Sequence, residues 1–255
     1  MSISIVLRSS RTSELKGLVS YLKQNRETEK EVIAVCVTND YELEGVDVIL
    51  EDSNRFKARI TGIKRAQFDR VLLLDSDQIP EDGLLTELNN KIEDMVIILE
   101  RSLSKGLTEK CLDDWRRRNE EIVRRKPSPY VPVVPRLYLR SHLLRAIDEL
   151  SDSVLKIVSH EDSVLYYYVY KISQNIGLTT RHILNRDPNI FRLMQKAYMY
   201  GKNSRSVQVL DIPPDIRTLL DKLNYSTLNI KGLGMGVGYL VQIPRGFAYK
   251  LGEMI

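Results

Sequence analysis

The sequence predicts an α/β fold in which helices flank a mostly parallel, mixed sheet. Short apolar runs typical of strands alternate with amphipathic helical patterns over the first hundred residues, as βαβ units require. One of these runs, Val71–Leu74, leads directly into Asp75 and Asp77. A short apolar run bounded by charge is typical of a strand buried on both faces of a parallel sheet. The two aspartates therefore fall at the carboxyl edge, where open α/β sheets bind ligands.

The individual elements follow from the same periodicities. The predicted strands are Ser2–Arg8, Glu31–Thr38, Val46–Glu51, Arg70–Asp75, Met95–Arg101, Arg136–Arg140 and Thr179–Leu184. The predicted helices are Ser13–Gln24, Asn54–Gln67, Glu81–Lys91, Thr108–Lys126, Ser141–Leu150, His160–Asn175, Ile190–Tyr200 and a short helix after Pro213-Pro214. Ser13 is the expected N-cap of the first helix, and Gly177 is expected to end the helix that begins at His160. The four prolines from Pro127 to Pro135 predict a linker or an edge strand.

Composition limits the classes of protein to which the chain can belong. Its 255 residues, 43% of them hydrophobic and 28% charged, suffice for one large domain or for one domain with an appended subdomain. A net charge of +4 suits a phosphorylated ligand or an anionic surface and gives no argument for nucleic acid. The two cysteines, Cys36 and Cys111, show no metal-ligand spacing, so a reducing cytoplasmic compartment is expected. No stretch approaches the ~18 consecutive apolar residues of a membrane span, which predicts a soluble or peripheral protein.

The paired aspartates Asp75 and Asp77 are the first candidate site. In an extended backbone, residues i and i+2 point to the same side, so both carboxylates would face one spot. Such carboxylates repel each other unless a cation lies between them, and Mg²⁺ or Mn²⁺ favours these oxygens together with substrate phosphates. The alternative is that they cap the next turn, since Pro80 follows closely.

Ser159-His160-Glu161-Asp162 allows two interpretations. It matches a capping box, with Ser159 at the N-cap and Asp162 three residues later. A carboxylate at a helix N-terminus also stays ionised near neutral pH and could act as a general base. The sequence leaves both open.

Two single residues also have alternative roles. His182 is either packed and hydrogen-bonded beside its strand or a metal ligand together with Asp77. Asp40, just past the second strand, could accept hydrogen bonds from a nucleobase or could belong to an ordinary turn.

The later part of the chain is basic and then rich in glycine. The basic side chains are Arg181, Arg186, Arg192, Lys196, Lys202 and Arg205. Arg192 and Lys196 share a helix face and could bind a diphosphate or anionic lipid headgroups, or could simply be solvated. The tail over residues 231–252 is rich in glycine, and its segment Gly232–Gly238 contains overlapping GxxxG spacings. Core packing is the preferred interpretation there, with membrane docking or a dimer contact as alternatives.

Several motifs, taken in order, resemble the family-2 glycosyltransferases, which share the nucleotide-diphospho-sugar transferase (glycosyltransferase-A) fold. The resemblance covers about residues 1–205. The matching segments are the first strand Ile3–Arg8, the helix motif AR-x-x-G-h-x-x-A in Phe56–Ala66, the strand motif hhhhDxD in Val71–Asp77, the strand Pro135–Arg140, the ED-x-x-L motif in Glu161–Leu165, and His182 followed by Phe191 through Tyr200-Gly201-Lys202.

The resemblance implies a domain organisation. Residues 1–205 would form a glycosyltransferase-A-type catalytic domain, with a nucleotide-binding half over 1–101 and an acceptor-binding half over 127–205. Residues 206–255 would then be a helical C-terminal extension.

The resemblance also implies roles for individual residues. Asp77 would bind the divalent metal, Mn²⁺ or Mg²⁺, and Asp75 would contact the ribose or a metal-bound water, with His182 as a further candidate metal ligand. Asp40 would face the nucleobase. Asp162, beside Glu161, would deprotonate the acceptor hydroxyl. The remaining predicted donor-binding residues are Arg8, Lys57, Arg59 and Ser76.

The predicted activity is an inverting, metal-dependent transfer of one sugar from a nucleotide-diphospho-sugar to a glycan or lipid-linked acceptor. The QxxRW pattern of processive members is absent, since Gln195-Lys196-Ala197-Tyr198 stands in its place. A nucleotidyltransferase is disfavoured because Arg8–Arg11 contains no glycine for a phosphate loop. A catalytically silent nucleotide-sugar-binding protein is disfavoured because Asp75, Asp77 and Asp162 are all present. The expected location is cytoplasmic, with peripheral contact to the inner membrane face and a homodimer left open.

Overall fold

The computed structural model of the chain describes residues 2–25, 28–223 and 239–254. The chain divides into two compact units. The first unit comprises Met1–Leu99, Val134–Leu150 and Leu165–Leu184, and the second comprises Glu100–Val133, Ser151–Val164 and Asn185–Ile255.

The described residues form eight strands in one sheet. They are β1 (Ile3–Arg11), β2 (Lys30–Thr38), β3 (Asp47–Leu50), β4 (Arg70–Asp75), β5 (Gln78–Pro80), β6 (Met95–Ser102), β7 (Pro135–Leu139) and β8 (Ile176–Asn185). Their order across the sheet is β3-β2-β1-β4-β7-β6-β8-β5. β1 pairs in parallel with β2 and β4, and β2 pairs in parallel with β3, whereas β7 is antiparallel to β4 and β6. The predicted fold class, a mixed sheet with a parallel part and flanking helices, is therefore confirmed.

The helices lie between these strands and in the C-terminal part of the chain. Those of the described residues are α1 (Lys16–Gln24), α2 (Arg55–Arg65), α3 (Leu84–Asn89), α4 (Leu107–Arg125), α5 (Arg140–Asp148), α6 (Glu161–Ile172), α7 (Ile190–Gln208), α8 (Pro214–Leu223) and α9 (Tyr239–Met254). Short 3-10 turns occupy Thr12–Leu15 and Val154–Lys156. No described helix is both long enough and apolar enough to cross a membrane.

The core of the first unit lies along the central strands of the sheet. Every residue of Val71–Leu74 is buried, as expected for a strand covered on both faces. Helix α1 contributes Leu18, Val19 and Leu22 to this core. Helix α2 lies very close to the sheet, because a Cβ at Gly62 would collide with Val6. Each fully buried leucine or isoleucine stabilises the fold by about 1.5–3 kcal/mol. This burial holds the central strands in place, and with them the residues at their carboxyl ends.

The start of the first helix differs from the prediction. Ser13 is not an N-cap, since it lies within the 3-10 turn Thr12–Leu15, and α1 begins at Lys16 without a side-chain cap. Ser13 instead donates its backbone N–H and its hydroxyl to the carboxylate of Asp40, at 3.0 and 2.7 Å. Ser13, which the local sequence predicts as the cap of the helix, therefore bonds instead to Asp40, which follows the neighbouring strand β2.

Two predictions near α3 and β8 were wrong for tertiary reasons. Gly177 does not end a helix, because α6 stops at Ile172 and Gly177 lies inside β8, where a Cβ would meet the carboxylate of Glu93. The helix predicted from Glu81 is shorter, because residues 78–80 form the strand β5 and the Glu81 N–H donates to the carbonyl of His182. Sheet pairing thus takes over the first turn of the predicted helix.

The beginning of α6 lies one residue beyond the place that the capping box requires. The helix starts at Glu161, so the residue before it is His160 and not Ser159. His160 has a φ of 64°, in the left-handed region that non-glycine residues rarely adopt.

The second unit is built around its helices. One cluster joins Cys111 and Leu112 of α4 to Leu193 of α7 and Val241 of α9. Of the predicted glycine-rich tail, residues 231–238 lie outside the described residues, and the rest lies within α9, which packs on α7. The GxxxG segment Gly232–Gly238, for which core packing is the preferred interpretation, lies outside the described residues. Within α9, a Cβ at Gly252 would collide with the carbonyl of Tyr198.

Candidate functional site

The carboxyl ends of three neighbouring parallel strands, β2, β1 and β4, lie at one edge of the sheet. In the parallel register, Arg8 of β1 lies beside Val35 of β2 and beside Asp75 of β4. The chain leaves the sheet at this edge toward Asp40 from one strand and toward Asp77 from the other. The sequence prediction that these side chains gather at one sheet edge is consistent with this register.

Asp75 is the centre of a cluster of arginines. Its Oδ1 accepts a hydrogen bond from Nη2 of Arg59 at 3.0 Å, and its Oδ2 lies 3.7 Å from Nη1 of Arg136. Arg59 and Arg136 are only 3% and 8% exposed. The Asp75 N–H donates to the side-chain oxygen of Gln78, which closes the turn that follows β4. Asp75 is thereby held rigidly, and both of its oxygens face guanidinium groups.

The arginines determine the charge state of Asp75. Burial alone raises the pKa of this carboxyl, but the guanidinium groups of Arg59 and Arg136, with smaller contributions from Arg55 and Arg8, lower the pKa to about 2. Asp75 is therefore ionised at any physiological pH. The one carboxylate is surrounded by several cationic side chains, so this edge of the sheet offers positive charge to an anionic ligand.

Ser76 and Asp77 form the turn between β4 and β5. The strand ends at Asp75, so Asp75 and Asp77 do not share an extended backbone that would turn both carboxylates toward one spot. The turn directs Asp77 independently of Asp75, and its side chain is half-buried. With the Asp75 oxygens facing arginines, Asp77 is the carboxylate of the pair better suited to a cation.

Asp40 shapes the loop that follows β1. Its carboxylate accepts hydrogen bonds from the backbone N–H and hydroxyl of Ser13 and from the hydroxyl of Thr12, which lower the pKa of Asp40 below its ordinary value. The Thr12 hydroxyl in turn accepts the N–H of Tyr41 at 2.8 Å. The turn role proposed from sequence is present, and the side chain is exposed beside the strand ends.

The N-terminus of α2 brings further basic groups to this unit. Asn54 caps the helix by accepting the N–H of Lys57 at 2.9 Å, and the Lys57 side chain is exposed. Arg55, in the same turn, contributes to the field at Asp75. Sequence reasoning missed Arg55 and Arg136. The signal available was an arginine within the short apolar strand pattern at Arg136, where a buried charge requires a partner.

His182 lies in a hydrogen-bonded pair with Glu81. The His182 N–H donates to Oε2 of Glu81 at 2.8 Å, and Nδ1 lies 3.1 Å from the same oxygen. These bonds from His182, with a smaller opposing contribution from burial, lower the pKa of Glu81. This is the packed and hydrogen-bonded arrangement that the sequence offered as one alternative, and its metal-ligand role stays a prediction.

Within the described part of the chain, no three histidine, cysteine, aspartate or glutamate side chains converge as a ready-made metal cluster. Mg²⁺-type sites in phosphate-transfer enzymes often need only one or two carboxylates, because the substrate phosphates and water complete the coordination shell. The carboxylate of Asp77, in the turn after β4, is an oxygen donor that suits such a hard cation.

The ED motif opens α6. Glu161 is 4% exposed, whereas Asp162, in the first helical turn, is half-buried. A carboxylate in the first turn is stabilised in its ionised form by the helix dipole. Just before it, burial lowers the pKa of His160 to about 4, so this imidazole is neutral at physiological pH.

An open cleft lies next to this motif within the second unit. Its walls come from the segment before α6 and from α7, α8 and α9. The lining is mostly polar and includes Ser159, His160, Gln208, Arg217 and Asp221. The cleft is thus lined by several hydrogen-bonding groups and by His160, whose backbone has a positive φ and which stands two residues before the candidate base Asp162 in the sequence.

Basic side chains of helix α4 form ion pairs with acidic side chains of the protein. Nη1 and Nη2 of Arg116 donate to the two oxygens of Asp187, with Nη1 at 2.9 Å, and Arg118 and Arg124 pair with acidic side chains of their own helix. Burial lowers the pKa of Arg116, but the hydrogen bonds that it donates to Asp187 outweigh this effect and raise the pKa. These contacts hold these basic side chains of α4 in ion pairs within the second unit.

Comparison with solved structures identifies the architecture. S. aureus TarS residues 1–349 matches with a TM-score of 0.57 and 15% identity, over 99% of this chain and 81% of that one. The same protein in complex with UDP matches with a TM-score of 0.56 and 15% identity, over 92% of this chain and 74% of that one. The mannosyltransferase PcManGT of Pyrobaculum calidifontis, solved with GDP-Man and Mn²⁺, matches with a TM-score of 0.58 and 11% identity, over 96% and 73%.

This chain has a glycosyltransferase-A-type fold. The fold implied by the sequence resemblance is therefore confirmed. No protein-family model and no curated protein sequence matches the chain. At identities of 11–15%, the structural likeness concerns the fold alone, and the chemistry has to be argued from the residues of this glycosyltransferase-A fold.

Proposed function

We propose that this protein is an inverting, divalent-metal-dependent glycosyltransferase that moves one sugar from a nucleotide-diphospho-sugar to a hydroxyl acceptor. The observation that carries the proposal is the cationic cluster at the end of β4, where Asp75 stays ionised among Arg8, Arg55, Arg59 and Arg136. A diphosphate that leaves the sugar carries developing negative charge, which fixed cations stabilise most strongly in the transition state.

The donor lies, in this proposal, over the carboxyl edge of β1, β2 and β4. Asp77 and Ser76 present oxygens to the metal and to the diphosphate from the turn after β4. Asp40 and the turn that it caps accept hydrogen bonds from the base, while the exposed Lys57 binds a phosphate. The bound structural neighbours support a nucleotide-linked donor, since one holds UDP and another holds GDP-Man with Mn²⁺.

The metal, when bound, would supply a Lewis acid that neutralises the departing diphosphate. Asp77 would hold it, with Asp75 fixing the turn through its arginines and with His182 as a further candidate ligand. Mn²⁺ and Mg²⁺ both suit carboxylate and phosphate oxygens.

The acceptor half of the reaction is assigned to the first turn of α6. Asp162, beside Glu161, takes the proton from the acceptor hydroxyl, and the resulting oxygen attacks the anomeric carbon from the side opposite the diphosphate. A single displacement of this kind inverts the configuration at that carbon. The acceptor is a glycan or lipid-linked hydroxyl compound, and the proposed location is cytoplasmic.

The test is a thermal-shift panel in which UDP, GDP and dTDP are each added with and without Mn²⁺. Ligand that binds only the folded state stabilises it, so a ~100-fold excess over Kd should add about 2.7 kcal/mol. We expect one diphosphate to raise the melting temperature strongly, and only when metal is present. Asp77→Ala should abolish this metal-dependent shift.

The control is Asp148→Ala, an exposed aspartate at the end of α5. It should leave the nucleotide shift unchanged. Binding of a diphosphate without any metal dependence, and without turnover of the donor, would favour the silent nucleotide-sugar-binding protein. Release of pyrophosphate from a nucleoside triphosphate would favour the nucleotidyltransferase.

A further inference from the structure

Helix α9 carries an exposed apolar stripe. Ile243, Phe247 and Met254 are 62%, 66% and 76% exposed, and Leu251 is 38% exposed. Their spacing of four, four and three residues places them on one side of the helix. The other side, with Val241, Ala248 and Tyr249, is buried in the second unit.

This stripe differs from the isolated exposed apolar residues that every protein surface contains. Four large side chains lie in succession along one helix, and a contiguous apolar patch on a soluble protein usually marks a binding surface. The helix is amphipathic, has 16 residues and contains Pro244. It is too short to span a bilayer, but it suits the plane of a lipid interface.

The charge around the stripe indicates what covers it. Helix α7, which packs on α9, has four exposed basic residues and no acidic residue: Arg192, Lys196, Lys202 and Arg205. Two further exposed apolar residues of α7, Phe191 and Met199, stand among them. Helix α9 adds Arg245 and Lys250 against a single acid, Glu253. The two helices together therefore combine exposed apolar side chains with a strong excess of positive charge.

We propose that α7 and α9 dock on an anionic lipid surface. The apolar side chains Ile243, Phe247 and Met254 enter the interface, and the basic side chains of α7 bind headgroup phosphates. A second copy of this chain is a poorer partner for the same face, since a two-fold contact would bring two cationic surfaces together. Docking goes beyond the proposed sugar transfer and does not depend on it.

The experiment is cosedimentation of the full chain with vesicles, without donor or acceptor. One set contains only phosphatidylcholine, and in the other about a third of the lipid is phosphatidylglycerol, whose negative surface attracts basic segments. We expect binding to the anionic vesicles only, and weaker binding as salt rises. The double variant Ile243→Ser with Phe247→Ser should lose at least about tenfold in partitioning, because two apolar side chains no longer enter the interface.

Matched substitutions test whether the effect belongs to this face. Ile92, 84% exposed in the first unit, is the apolar control, and Ile92→Ser should leave vesicle binding unchanged. Charge reversal at Arg192 and Lys196 to Glu should lower binding by about tenfold or more. The same reversal at Lys64 and Lys110, exposed residues of α2 and α4, should have a much smaller effect.

Circular dichroism of each variant establishes that it is folded before its binding is interpreted. Absence of wild-type binding to anionic vesicles would overturn the proposal, as would equal binding to neutral ones. A concentration-dependent dimer in light scattering that Phe247→Ser dissolves, with no vesicle binding, would assign the face to self-association. None of these outcomes alters the nucleotide shift, so failure of docking is distinct from failure of the proposed function.

Discussion

At the residue scale, Asp75 shows why a carboxylate at the end of a buried strand can remain charged. Its pKa in the folded protein, about 2, lies below that of an unfolded chain because the arginines outweigh the cost of burial. A depressed pKa stabilises the folded state above the unfolded pKa, and this stabilisation is lost as pH falls toward 2. We expect about 2 kcal/mol of stability to disappear between about pH 5 and pH 2, measurable by denaturant unfolding.

Asp75→Asn is the matched variant for this pH dependence. It leaves the nearly buried Arg59 without its charged partner, so the variant should be less stable at neutral pH by about 2 kcal/mol or more. Its stability should then change less with acid than that of the wild type. Identical acid profiles for the two proteins would show that Asp75 is not the group that titrates.

Asp162 has a different expected effect, because the role proposed for it is in the chemical step. Asp162→Asn keeps the size and the hydrogen-bonding capacity of the side chain but cannot take a proton. We expect kcat to fall by about 10²–10⁴-fold with little change in the nucleotide thermal shift. Asp152→Asn, an exposed aspartate of the same unit, is the control. An unchanged kcat in the Asp162 variant would remove it from the mechanism.

At the element scale, the crossing of α7 and α9 depends on two glycines. A Cβ at Gly201 would collide with the carbonyl of Tyr249, and one at Gly252 would collide with the carbonyl of Tyr198. We expect Gly201→Ala or Gly252→Ala to destabilise the protein by about 1–3 kcal/mol, because the helices would have to move apart. Denaturant unfolding would measure this change.

Gly246 is the matched control on the same helix, since nothing lies within 4 Å of a Cβ built there. Gly246→Ala should be neutral or should stabilise the protein by up to about 1 kcal/mol, through helix propensity. If the alanines at positions 201, 246 and 252 all behaved alike, close helix packing would not explain the glycines.

The same scale shows where sequence patterns predict elements and where they fail. The sequence predicts the apolar strands β1, β2, β4 and β6, because a strand that is buried on both faces has a nearly continuous apolar run. The ends of elements were less accurate. Ser13 donates a hydrogen bond to Asp40, and Glu81 accepts one from His182. Both partners are distant from these residues in the chain. No local pattern contains such contacts.

At the scale of the whole molecule, the two proposals assign binding to separate segments of the chain. Nucleotide with Mn²⁺ should slow amide hydrogen exchange near residues 40–41, 54–59 and 75–80, which carry the donor-site groups. Anionic vesicles should slow exchange in α7 and α9. Mass spectrometry of the exchanged protein would measure both, since ligand binding suppresses local opening where it adds contacts.

The two ligands also serve as controls for each other. Neutral vesicles and a nucleoside without phosphates should produce neither pattern. Protection by nucleotide that is confined to α7 and α9 would contradict the donor site at the end of β4. Protection by vesicles over residues 75–80 would contradict the docking face.

The sequence by itself determined the α/β class, the strand that ends in Asp75 and Asp77, and the resemblance whose glycosyltransferase-A fold the solved structures confirm. Burial periodicity and short motifs are local properties, so they can be read along the chain. Only the tertiary structure decided that Arg136 and Arg59 converge on Asp75, that Asp77 lies in a turn, and that α9 packs one face on α7 and exposes the other. Each depends on residues far apart in sequence, whose charges and surfaces meet only after the strands have paired.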